Sequence, residues 1–192
     1  MDWLKRLIDH WVYGGFMCSF VLLAGLTLSI ERLTLPMVLL FLHLPMYMWH
    51  QYEEHDDDRF RTYCDVNFGV GSLNQEAIFI INVIGVWGIF TALLMVASIG
   101  SVGWGLGIVY LTMINGISHV ASAVRQRGYN PGLLTAALLF IPLSGFSLIQ
   151  IARIDDIRQI HHFLGVSLGI GIHLLIVMYV LKRRAAIIRS PV

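Results

Sequence analysis

Charge is what this chain of 192 residues has least of. Asp, Glu, Lys and Arg make up 13% of it, against roughly a quarter in a soluble domain, while 57% is hydrophobic and the mean hydropathy is +0.72. That balance excludes a soluble globular fold. The formal net charge is only +1, and the basic residues fall in pairs beside apolar segments rather than in a stripe, which excludes nucleic acid as a partner. Cysteine is nearly absent too: Cys18 lies inside the first apolar segment and Cys64 in a polar connection, so a disulfide framework is excluded and the redox compartment stays open. No small-x-small cleavage pattern stands before Glu31 and Arg32, so the apolar segment after Lys5 and Arg6 reads as a retained helix and not a signal peptide. The opening Met1-Asp2-Trp3 lacks the glycine that myristoylation needs.

What is present is a series of apolar windows of spanning length. Six are expected, at residues 13–30, 33–49, 77–99, 102–124, 132–151 and 162–181. The expected fold is therefore an all-α, polytopic transmembrane helix bundle, one domain over residues 1–192, with a single long polar connection at residues 49–77. Lys and Arg mark every second helix end: Lys5 and Arg6, then Arg59 and Arg61, then Arg125 and Arg127, then Lys182, Arg183 and Arg184. Positive residues in short loops stay cytoplasmic, so both termini are expected there, in a bacterial inner membrane. Pro45 and Pro142 each remove a backbone donor and are expected to kink their helices. Glycines 103, 105 and 107, and later 165, 169 and 171, would let those helix backbones approach closely.

The stretch MYMWHQYEEHDDDR, residues 46–59, ends the second window. His50, Glu53 and Glu54 lie three or four residues apart and share a helix face, with His43 two turns earlier. With the orientation above, Asn82, Asn115, His119 and His173 fall on the same inner half of the bilayer, from three other helices. Ionisable groups within spans cost about 2.5 to 3.5 kcal/mol on insertion scales and are usually paired and functional. Interfacial placement of Glu53 and Glu54, pairing with Arg59 or Arg61, and histidines bonded to neighbouring helices are the plainer alternatives. His161 and His162 sit at the opposite end and read as interfacial, Asp56 to Asp58 as a solvated turn, and His10 and His55 as exposed.

The ordered set HQYEEH (50–55), NGISH (115–119) and YNPGLLTA (129–136), with a late intramembrane histidine, resembles the HXXEE family of small integral membrane proteins. The resemblance implies a multi-helix membrane protein with enzymatic activity and His50, Glu53 and Glu54 as its naming residues, but no particular reaction. In YNPGLLTA, Pro131 would start the fifth helix and Tyr129 would anchor at the interface.

Imidazole with carboxylate suits a divalent transition metal, zinc before iron. The leading expectation is a metal-dependent hydrolase acting on a membrane lipid or other apolar substrate at the cytoplasmic side. His50, Glu53, His119 and His173 would be metal ligands, Glu54 the base and Asn115 the stabiliser of an oxyanion. Arg125 and Arg127 could hold an anionic head group at that boundary. The alternatives are a di-iron oxygenase or desaturase, and a proton-coupled transporter using the same groups as a relay.

Overall fold

The computed structural model of the protein describes residues 2–189; Met1 and residues 190–192 lie outside it. Among the described residues all regular structure is helical, as expected where a backbone in hydrocarbon can hydrogen-bond only to itself. Six long helices form the bundle: α1 (Trp3–Ser29), α2 (Leu35–His55), α4 (Gln75–Ile99), α5 (Val102–Gln126), α6 (Leu133–Ile151) and α7 (Gln159–Arg189). A seventh, α3 (Arg59–Phe68), is short.

Five of the long helices are long and apolar enough to cross a membrane, where six were expected. The sixth, α2, has 21 residues, about 30 Å of helix, but His43, Trp49, His50, Gln51 and Tyr52 dilute its apolarity. Its position supplies the reason. Eleven residues of α2 are buried, and it packs against α1, α4, α5 and α6. Polar atoms on α2 meet protein and need not be compatible with lipid. The helix also runs through Pro45 without a break, whereas Pro142 follows a stretch of wider π turns at Ala136–Phe140. A second such stretch, Ile80–Trp87, lies in α4 and carries Asn82.

The connection after residue 49 is folded rather than an open polar loop. α2 continues to His55, a 3₁₀ turn covers Asp56–Asp58, and α3 follows. Asp57 and Asp58 take left-handed φ values of 54° and 56°, a conformation that short polar side chains tolerate better than most. Asp56 pairs with Arg59 and Asp58 with Arg61. The arginines are thereby held by the aspartates, and neither forms a salt bridge with the Glu53 or Glu54 carboxylate.

Tyr47, Phe90, Ile108, Leu111 and Phe140 close the core beneath the end of α2. The remaining constraint is the seam between α5 and α7. A Cβ at Gly165 would lie 3.0 Å from the Leu106 backbone, and one at Gly169 would lie 2.7 Å from the Ile114 side chain. The two backbones touch there because nothing but hydrogen stands between them, the usual way helices associate where packing replaces the hydrophobic drive. A Gly165→Val variant should lose about 1 to 3 kcal/mol, read as a lower thermal midpoint in detergent; an unchanged midpoint would show that the seam is not close-packed.

Candidate metal centre

A spacing of four residues, about one turn, brings His50 and Glu54 onto one side of α2, and α5 delivers His119 to the same point. His119 Nε2 lies 3.0 Å from Glu54 Oε1, and His50 Nε2 lies 3.5 Å from Glu54 Oε2. All three side chains are buried, and one ligand atom from each lies within 4.8 Å of the others. His50 Nε2 has no hydrogen-bond partner.

The outer nitrogens decide what the inner ones can do. Asn130 Nδ2 donates to the His119 carbonyl at 2.9 Å, which turns its Oδ1 toward His119 Nδ1 at 2.7 Å. The Nδ1 of His119 must therefore carry the proton. His50 Nδ1 lies 2.8 Å from Thr135 Oγ1, whose own proton goes to Glu53 Oε2 or to the Gly132 carbonyl, so this Nδ1 also donates. In the neutral imidazoles both Nε2 atoms are then lone pairs facing a carboxylate. Three acceptors at such distances repel one another unless a cation sits among them. Imidazoles whose far N–H is fixed by an oxygen acceptor are also how histidine ligands are ordinarily oriented on a metal.

Backbone shape completes the pocket. Gly132 takes φ +94°, and a Cβ there would stand 2.7 Å from His50 Cε1, 2.8 Å from Glu54 Cγ and 2.8 Å from His119 Cε1. A side chain at 132 would be strained and would fill the space the three residues share. The turn Tyr129-Asn130-Pro131-Gly132 is thus a wall of the site. α6 starts only at Leu133, after Pro131 rather than at it.

Glu53, one residue along, faces elsewhere. Its Oε1 accepts from the Tyr129 hydroxyl at 2.9 Å and from Leu134 N at 3.0 Å, and its Oε2 accepts from Thr135 N at 2.7 Å and from the Thr135 hydroxyl. A carboxylate on the orphan amides of a helix start is stabilised by hydrogen bonds and by the helix dipole. Glu53 is accordingly the N-terminal anchor of α6, a correction to its expected place among the ligands. Burial and the bond to Glu53 push the Tyr129 hydroxyl up to about 12, so it remains a donor. The expected free interfacial anchor is tied to the site's frame.

Comparison by sequence places the chain at this point. Residues 41–147, more than half its length, match the family described as protein of unknown function with HXXEE motif. The chain belongs to the HXXEE family. No curated protein and no solved structure matches it. In this HXXEE protein the motif is His50-Gln51-Tyr52-Glu53-Glu54, and its two glutamates have separate tasks: Glu54 joins the histidines and Glu53 holds α6. The matched region contains His50, Glu54, His119, Asn130, Gly132 and Thr135 and ends before His173.

Beside the cluster lies a cavity of about 310 Å³ lined by α2, α3, α4, α5 and α7 together with Asn130 and Leu73. Glu54, His119, Asn115 and His173 all reach it. His173 is not in the three-residue group, however; its Nδ1 donates to the Gly169 carbonyl at 2.8 Å, a correction to the expected ligand set. Asn115 Nδ2 donates to the Tyr47 hydroxyl at 3.1 Å. His43 is remote from the group and bonds Ser147 at 3.2 Å. Cys64 is also in the wall, and burial, reinforced by the Glu54 and Asp65 charges, pushes its thiol up to about 12. It is a neutral wall element and not a nucleophile.

His55, read from sequence as exposed, is buried in the same network. The Trp87 indole can only donate, and it donates to Gln51 Oε1 at 2.7 Å; Gln51 Nε2 then donates to Asn82 Oδ1 at 2.9 Å, and Asn82 Nδ2 points at His55 Nε2 at 3.3 Å. That direction makes His55 Nε2 a lone pair, 3.4 Å from Glu54 Oε2. His55, Asn130, Gly132 and Thr135 are the site residues that sequence reasoning missed. The YNPG run was the available signal, but it reads first as a turn.

The division between the two glutamates is testable. Glu53→Gln should cost about 1 to 2 kcal/mol of stability through the weakened helix start and keep any bound metal, whereas Glu54→Gln should keep the fold and lose the metal. The opposite pattern, read by thermal unfolding and elemental analysis, would return Glu53 to the ligand set.

Proposed function

We propose that this HXXEE protein is a metal-dependent membrane hydrolase, holding one divalent transition ion, zinc before iron, on His50 Nε2, His119 Nε2 and the Glu54 carboxylate. The observation that carries this reading is the convergence of three hydrogen-bond acceptors, two of them with tautomers set from behind by Thr135 and Asn130. Two histidines and one carboxylate with an open side suit a catalytic ion better than a closed structural one. When bound, such an ion would polarise a carbonyl and acidify a water.

The chain's own residues have distinct parts in this reading. Asn130 and Thr135 hold the imidazoles in their tautomers, and Tyr47 and Phe140 keep water from beneath the cluster. His55 Nε2 takes the proton released from the attacking water and returns it to the leaving group, as oxygen bonds to the carbonyl carbon and the bond to the leaving group breaks. His55 suits this because it also lines a second, polar cavity of about 480 Å³ with Lys5, Asp9, Asp57 and Arg61, a route for water and protons. Glu54, expected as the base, is the ligand here. One carboxylate and two or three histidines favour one ion over the two of a di-iron oxygenase.

The second reading is a proton carrier, favoured by one distance: 3.0 Å between His119 Nε2 and Glu54 Oε1 suits a shared proton as well as a gap for a metal. Metal content decides between them. Purified protein should retain about one transition ion per chain; Thr135→Val and Asn130→Ala should weaken its binding by roughly 10 to 100-fold, and a chelator should abolish ester or amide hydrolysis. Protein that is metal-free and indifferent to added zinc would sink the hydrolase and leave the carrier.

The distribution of Lys and Arg supports placing both termini, the α5–α6 turn and the site on the cytoplasmic side of a bacterial inner membrane. Reporters fused after Val192 and inserted at Gly128 should both read as internal. An external signal from either would reverse the site's orientation.

A further inference from the structure

We propose that the 310 Å³ cavity takes a single-chain lipid whose head group is uncharged and bears oxygen, such as a monoacyl ester or a long-chain alcohol, and that the lipid enters sideways between α5 and α7. The proposal deepens the hydrolase reading, since it names the substrate class of that same site.

The first support is the charge inventory of the wall. No Lys or Arg lines the cavity, and Glu54 is its only carboxylate. A phosphate head group would be buried beside the Glu54 carboxylate with no Lys or Arg to pair it, which is costly. Arg125 and Arg127, the expected head-group holders, are exposed at the end of α5 and outside the wall. Beside Glu54 and the imidazoles of His55, His119 and His173, the polar groups of the wall are neutral: the amides of Asn82, Asn115 and Asn130 and the hydroxyls of Ser118 and Ser122. Such groups match a hydroxyl or a carbonyl.

The second support is size. At about 310 Å³ the cavity is at the small end of ligand pockets, which suits one hydrocarbon chain better than the two of a bilayer phospholipid. Most of the remaining wall is apolar, with Phe60, Ile78, Ile172, Ile176 and Val180 among it.

The third support is the mouth. α5 and α7 touch from Gly103 and His161 as far as Ile114 and Gly169. Beyond that point the cavity is lined by both helices, and three of its four exposed lining residues lie on them, Ser118, Val177 at 52% and Leu181 at 51%, the fourth being Phe68 of α3. The gap therefore opens on the side of the bundle, where hydrocarbon chains lie if α5 and α7 span the membrane. The glycine seam ends where the entrance begins.

The test uses full-length protein stripped of lipid in detergent, with binding of three probes followed by native mass spectrometry: a twelve-carbon monoacylglycerol, the matching lysophosphatidate and the matching diacylglycerol. The monoacylglycerol should bind at least tenfold tighter than the other two, and Val177→Trp, at an exposed position that tolerates bulk, should weaken it about tenfold. His50→Gln, at a residue outside the cavity wall, should lose metal and still bind the probe. Equal or tighter binding of lysophosphatidate overturns the uncharged head group, equal binding of diacylglycerol overturns the single chain, and an unaffected Val177→Trp variant overturns the entrance. Each of these can occur with metal retained, which leaves the hydrolase reading standing; loss of the metal reading with probe binding intact fails the other way.

Discussion

Two imidazole nitrogens and a carboxylate meet in the buried interior, and much of the fold arranges that meeting. Acceptors repel at such distances in a medium that screens little. The arrangement therefore stores a demand for positive charge, met by a metal ion or by a proton. Thr135 and Asn130 make the demand firm by occupying the outer nitrogens, so the histidines cannot turn their N–H groups inward without breaking bonds to fixed partners. The backbone of Gly132 makes it local by leaving open the space that a Cβ would fill.

The spacing of the HXXEE motif follows from this geometry. On a helix, the residue four after His50 stands over it and the residue three after lies on the adjoining flank. Glu54 takes the first place and meets His119. Glu53 takes the second and meets the free amides at the start of α6, carrying Thr135 into reach of His50. The same helix turn thus supplies one member of the cluster and fastens the element that orients another. The run from Tyr129 to Thr135 is the other half of the device, and neither half forms the pocket alone.

The membrane setting explains where polarity can be tolerated. α2 is the most buried helix and also the least apolar of the six long ones, a combination that would be a fault in a lipid-facing helix and is none in a central one. α5 and α7 are held together by absent side chains along one half of their contact and are separated by a cavity along the other. A sealed seam and an open one on the same helix pair place the polar cluster beside an apolar chamber.

Composition and period by themselves determined that this is an all-helical membrane protein. An 18-residue apolar window must fold as a helix whatever its neighbours are, because its backbone has no other partner in hydrocarbon. They also brought His50, Glu54 and His119 to one level, since depth along a helix is a linear function of position. What they could not settle is which way each side chain turns within that level. Glu53 and Glu54 are neighbours on one helix turn and are separated by an amide terminus 81 and 82 residues away from Glu53. His173 lies at the right depth, yet it bonds its own helix. His55 looked solvated because charge follows it in the chain, but α1, α3 and α4 fold over it. Direction around a helix axis is set by long-range contacts, and only the tertiary structure contains those.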